Sequence, residues 1–149
     1  MKLSKYDGHW VRITDVSGEV FEGACTHCSA EFCEAEIGPT EEALNIDNWM
    51  FFHSDIRSVR RIQPRDVFVW KSRTAYSVRI DADTFETLDW EDHTVSVPVR
   101  GLLPPAVRAG DVIRFESKAD ETDVMIELVE GVRRDPETGE VATVEVRVP

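Results

Sequence analysis

The stretch His9-Trp10-Val11-Arg12-Ile13-Thr14-Asp15-Val16-Ser17-Gly18-Glu19-Val20-Phe21-Glu22-Gly23 decides the fold of the first half of this chain. Trp10, Arg12 and Thr14 alternate with Val11 and Ile13, the two-residue period of a strand with one wet and one dry face. Ser17-Gly18 supplies a turn, Val20 and Phe21 open a returning strand, and Gly23 leaves room for that strand to bend. Farther on, Trp49 to Ile62 reads as a strand, a one-turn break at His53-Ser54-Asp55 and a further strand. With Leu3 to Tyr6 as a short helix stopped by Gly8, these elements predict a small bent β-barrel.

Between Cys28 and Leu44 the chain carries Glu31, Glu34, Glu36, Glu41 and Glu42 with no basic residue, which reads as a long solvated loop. Gln63-Pro64-Arg65-Asp66 is polar and contains a strand-breaking proline, so a module boundary is expected there, between residues 1–63 and 67–149. In the second module Val67 to Trp70 and Tyr76 to Ile80 read as strands. Asp83 is placed to cap a short helix running to Leu88, and His93 to Val99 alternates as a strand. Gly110-Asp111 turns into a strand from Val112 to Phe115. Two last strands, Val124 to Val132 and Val141 to Val148, flank the strong turn signal Asp135-Pro136-Glu137-Thr138-Gly139.

A length of 149 residues with 42% hydrophobic side chains suffices for one ordinary domain or two small barrels. The net charge of -12, from 29 acidic against 17 basic residues, repels a phosphate backbone and disfavours general nucleic-acid affinity. The excess is shared: 12 acids against 7 bases up to Asp66, and 17 against 10 after it, so neither half is a hidden basic module. The N-terminus lacks an apolar core of signal-peptide length and no apolar run approaches the roughly 20 residues of a membrane span, so a cytoplasmic protein with no membrane partner is expected. Cys25, Cys28 and Cys33, an odd number, do not read as a disulfide framework.

Those three thiols, with His27 and His53, are the weak candidates for a metal site. On a continuous strand Cys25 and His27 would point to one face and Cys28 to the other, so the reading assigns no metal and no cofactor. A nucleophilic pair of Ser96 with His93, or Ser54 with His53, is open to chance in a chain this rich in carboxylates. His93 and Ser96 lie an odd number of strand positions apart and face opposite ways. Trp10, Trp49, Phe51, Phe52, Phe68, Trp70 and Trp90 carry enough π surface to stack on bases or a peptide, yet most read as core. Of Phe51 and Phe52 one should point in and one out, and Trp70 sits at the module junction. Arg57, Arg60 and Arg61 form a basic stretch in which Arg57 and Arg61 share a strand face that excludes Arg60.

The segments with Val11, Ile13, Gly18, Phe21 and Gly23, and from Phe51 to Ile62, resemble the two motifs of the Sm and Sm-like family, and look like those of a bacterial Sm-like group of unknown function. The resemblance covers residues 3 to 62 and implies a five-stranded bent barrel, ring assembly through edge strands and RNA as ligand. The family's base pocket does not carry over: Ser29 to Ala43 is acidic, Phe52-His53-Ser54-Asp55 lacks the family's Arg-Gly, and Asn45 and Asn48 read as turn caps. Residues 74 to 149 resemble the ASCH and PUA-like barrels, an RNA-associated superfamily, through the helix, the His93 to Val99 strand and Ala109 to Phe115. Amide hydrolases of similar build use a glycine, a lysine, a threonine and an arginine where this chain has Glu91, His93, Ser96 and Pro98. That removes the activated amine.

The sequence therefore reads as a mainly β protein, an N-terminal Sm-like barrel joined to a C-terminal ASCH/PUA-like barrel with a short helix. Its function reads as a non-catalytic binding or assembly module contacting RNA locally, or a protein, with homo-oligomers formed through a barrel edge strand. Arg57, Arg60, Arg61, His93, Ser96 and Asp111 are the binding candidates. Two alternatives stay open: a hydrolase using a cleft near His93, Ser96, Asp111 and Glu127, and a protein-interaction module docking through the acidic loop or the 57–61 edge strand.

Overall fold

The computed structural model describes residues 2–36, 38, 40–88 and 93–149; Trp90 and Glu91 lie outside them. The protein is mainly β and divides into two compact units, Met1–Ser72 and Arg73–Pro149. The division falls past Trp70 and not at Pro64, so strand Val67–Trp70 belongs to the first unit. The reason is aromatic: Phe68 meets Trp10 edge-on at 5.8 Å and Trp70 meets Phe21 edge-on at 5.2 Å, contacts that hold the segment beyond the proline onto the first sheet.

In the first unit a 3-10 turn, Leu3–Tyr6, precedes β1 (Trp10–Asp15), β2 (Val20–Ala24), β3 (Thr26–Cys28), α1 (Ala30–Glu36), β4 (Ala43–Ile46) and β5 (Trp49–Phe52). A second 3-10 turn, His53–Asp55, then leads to β6 (Ile56–Arg61) and β7 (Val67–Trp70). The β1-β2 turn closes where expected. Gly18 takes a φ of 92°, and Asp15 Oδ1 accepts the Ser17 and Glu19 N–H groups at 2.9 Å each. Val11 and Ile13 are fully buried, with Phe21, Leu44 and Ile46.

The expected closed barrel is not what the strands make. They form two open three-stranded sheets, β2-β1-β6 and β3-β4-β5. The ladder breaks at Cys25, whose backbone bonds Gly8 and His9 and whose Sγ donates to the Tyr6 carbonyl at 3.0 Å. The bend at Gly23 serves a close approach, since a Cβ there would lie 2.7 Å from Ile46 Cγ2.

The acidic segment is also not wholly a loop. Ser29 Oγ accepts the Phe32 N–H at 3.1 Å, Glu31 lies in the first turn where the helix dipole favours an anion, and α1 buries Cys33.

The second unit contains β8 (Arg73–Ile80), α2 (Ala82–Glu86), β9 (Val95–Pro98), β10 (Val112–Ser117), β11 (Val124–Arg134) and β12 (Val141–Arg147). Within it the strands run β8-β10-β11-β12-β9, with β8 parallel to β10 and the other pairs antiparallel, again an open sheet and not a closed barrel. One face carries the core: Val78, Ile113, Phe115, Val97, Val144 and Val146, with Leu88 and Val107 laid over it. The cap of α2 is Asp81 and not Asp83. Asp81 has extended backbone angles and its Oδ1 accepts the Thr84 N–H at 2.8 Å, which leaves Asp83 inside the first turn. His93 and Thr94 precede β9 and do not extend it. The Asp135 to Gly139 turn forms as expected, with Gly139 at a φ of 74° and Asp135 Oδ1 accepting the Glu137 N–H at 2.8 Å.

Candidate functional site

The three arginines of β6 separate when their surroundings are traced. Val11 pairs with Arg61 and Arg12 with Arg60 across β1 and β6, so Arg60 shares the outer face of the sheet with Arg12. Arg61 Nη2 reaches the Lys5 carbonyl at 2.8 Å, and Arg57 Nη2 the Val16 carbonyl at 3.3 Å at the opposite end of the strand. Arg60 is exposed and makes no hydrogen bond or ion pair among the described residues.

At the Arg60 end the strands open into a groove of about 670 Å³, lined by Gly8, His9 and Trp10 on one side and by Arg60 to Arg65 on the other. Three arginines and a histidine line it, together with Gln63, the half-buried Trp10, Ile62 and Pro64. Among the described residues no carboxylate lines it. On a chain of net charge -12 this is a local inversion of sign.

Beside the groove lies an ion cluster built on one buried carboxylate. Glu22 stands directly opposite Arg12 on β2, its side chain fully buried. Its Oε2 accepts from Arg12 Nη1 at 3.2 Å and from Arg65 Nη2. The row Glu22, Arg12, Arg60 thus runs across β2, β1 and β6, and Arg65 closes onto it from the segment after β6. Arg60 and Arg61 were legible as candidates. Arg65, His9, Arg12 and Glu22 were not singled out, although the Ser17-Gly18 turn already sets Arg12 opposite Glu22.

The other candidates are not gathered into a site. Ser96 is exposed on β9 and pairs with Glu145, whereas Asp111 precedes β10. Two strands separate β9 from β10, which at the usual spacing is about 14 Å. Asp111 is buried and its Oδ2 accepts the Arg108 N–H at 3.0 Å, the bond that closes its turn. Burial, followed by the Asp111 charge, pushes the Tyr76 phenol above its ordinary pKa. His93 is exposed ahead of β9, and Glu127 is buried on the core face opposite Ile113.

The thiols are equally scattered in role. Burial pushes Cys25 up to about 11, Cys33 is the buried residue of α1, and Cys28 is half-buried on β3. Among the described residues no three His, Cys, Asp or Glu side chains stand where they could hold one metal ion. Asn45 does cap a turn, its Oδ1 accepting the Asn48 N–H at 3.1 Å. Phe51 points in and Phe52 is half-exposed, as adjacent strand residues must. Trp70 packs inside the first unit, against Phe21 and Trp49. No helix among the described residues is long and apolar enough to cross a membrane. No family model, no curated protein and no solved structure matches this chain.

Proposed function

We propose that this chain is a cytosolic, non-catalytic binding module that takes a short single-stranded RNA segment in the groove of its first unit. The observation that carries the reading is the lining, three arginines and a histidine with no carboxylate among the described residues, on a chain otherwise strongly acidic. Guanidinium forks match phosphate oxygens in pairs, and the volume is that of a small-ligand site. Trp10, Ile62 and Pro64 offer an apolar wall for a base beside the charges. The acidity of the rest of the protein restricts the contact to this groove and opposes sliding along duplexes.

The finer fold reading supports the same ligand class. In the first unit a 3-10 turn leads into strands, a one-turn break and a last strand paired back onto the first, an order in keeping with an Sm-like domain. The second unit, with its short helix and Gly110-Asp111 turn into β10, is in keeping with an ASCH or PUA-like domain. Both resemblances are to RNA-associated families.

Fluorescence anisotropy of a labelled ten-nucleotide oligouridine tests the proposal. Arg60→Glu should weaken binding about tenfold or more, the value of one charge-assisted contact, while the same change at Arg133 in the second unit leaves it unaltered. Equal loss from both variants would reduce the interaction to overall charge. A second reading rests on β6 ending its sheet, with Arg57 and Ser58 exposed: a second copy adding a strand there would pair its open backbone groups. Mass in solution decides it, and a monomer at every concentration removes it.

A further inference from the structure

Granting that the groove is the binding site, we propose that Glu22 is its positioning residue. The buried carboxylate holds Arg65 in the wall to meet one phosphate and draws Arg12 toward β2, which leaves Arg60 free to meet another. Arg12 and Arg60 face each other directly across β1 and β6, and like charges in that relation repel. Glu22, on the opposite side of Arg12, relieves the repulsion by taking Arg12 Nη1 at 3.2 Å.

The same Oε2 takes Arg65 Nη2, although Arg65 lies on the segment after β6 and 43 residues away in sequence. Glu22 Oε1 is buried and accepts no hydrogen bond among the described residues. Both cations therefore converge on one oxygen while the other stays idle. A buried carboxylate paired with cations is weak evidence for a stability role, since apolar groups of similar volume often serve as well. This one fixes two guanidiniums relative to a third, Arg60, that has no partner among the described residues.

The proposal makes a prediction whose sign opposes simple electrostatics. Glu22→Gln removes a negative charge from beside an anion site. If Glu22 acted only through its charge, oligouridine would bind more tightly and with a steeper salt dependence. If it positions Arg65, binding weakens about tenfold despite the added net positive charge, and the slope of log affinity against log salt falls by about 0.7, one phosphate contact on a single strand. Tighter binding by Glu22→Gln overturns the proposal.

A readout without RNA separates this inference from the function it rests on. Nitrogen relaxation at the arginine Nε–H groups of the intact chain should report Arg65 as rigid and Arg60 as mobile, and in Glu22→Gln both should be mobile. Should Glu22→Gln fail to fold, the wild-type comparison still decides, because an Arg65 as mobile as Arg60 refutes positioning by Glu22. A rigid Arg65 in a wild-type chain that binds no oligouridine would instead remove the RNA reading and leave the Glu22 to Arg65 tether standing.

Discussion

The two units bury acidic side chains for different ends. In the second unit two of the buried polar groups close turns, Asp111 accepting the Arg108 N–H at 3.0 Å and Ser117 Oγ the Ala119 N–H at 3.2 Å, while buried Glu127 stands mid-strand opposite Ile113. In the first, Glu22 is wholly buried yet bonded to two long cations whose side chains reach the surface, beside a groove that carries a further free arginine. A carboxylate that satisfies a backbone N–H a few residues away does local work and needs no neighbour of opposite charge. One that gathers guanidiniums from two distant segments shapes a surface. Under the proposed function, recognition falls to the first unit and the second serves as scaffold.

The largest expected effect would break that division if it is wrong. Phe115 is fully buried in the core of the second unit, and Phe115→Ala should cost about 3–5 kcal/mol in denaturant unfolding. Oligouridine affinity per folded molecule should stay at the wild-type value; a parallel loss would place the recognition surface in both units. Next, Gly23→Ala sets a Cβ 2.7 Å from Ile46 Cγ2 inside the first unit and should cost about 1–3 kcal/mol by overpacking. An unchanged midpoint would mean that the two sheets of that unit can move apart freely.

A smaller effect depends on pH. Burial would raise the Glu42 carboxyl, but the Leu3 N–H on Oε1 at 3.0 Å, followed by the bond and charge of His27 on Oε2 at 3.1 Å, outweigh it and hold the pKa below the ordinary 4.5. A carboxyl whose folded pKa is depressed contributes stability that is complete above the unfolded value and lost as pH falls through the folded one. Thermal melts of the wild type should thus fall below about pH 4.5 by an increment that Glu42→Gln lacks. Equal acid sensitivity in both proteins would contradict this tie between the N-terminal 3-10 turn and the sheet. The smallest effect is of opposite sign: Arg60→Gln ends the repulsion with Arg12 and should raise stability by about 0.2–1 kcal/mol while weakening RNA binding. A drop in stability would mean that Arg60 serves the fold.

What was legible in the sequence was local. The alternation of Val11 and Ile13, the Ser17-Gly18 turn, the Gly110-Asp111 turn and the Asp135 to Gly139 turn each depend on a few neighbouring residues and formed as read. α1 was hidden because five glutamates without a base suggest solvent, while its start signal, the Ser29 cap on Phe32, is a single side chain. The place of β7 was hidden because it depends on ring contacts between Phe68 and Trp10, and Trp70 and Phe21, across about fifty residues of chain. Pro64 breaks a strand, but a broken strand need not end a unit. The groove was half legible: Arg60 and Arg61 announced themselves as a basic run, whereas His9 and Arg65 join them only because β6 returns to β1.

Photo-crosslinking tests the proposed RNA placement most directly. A 4-thiouridine-bearing single strand, irradiated on the intact protein at moderate salt and mapped by mass spectrometry, should attach to Trp10 and to peptides spanning residues 60–65, and Glu22→Gln should diminish that attachment. Crosslinks confined to the second unit, or spread evenly over both, would contradict the assignment of recognition to the arginine groove of the first.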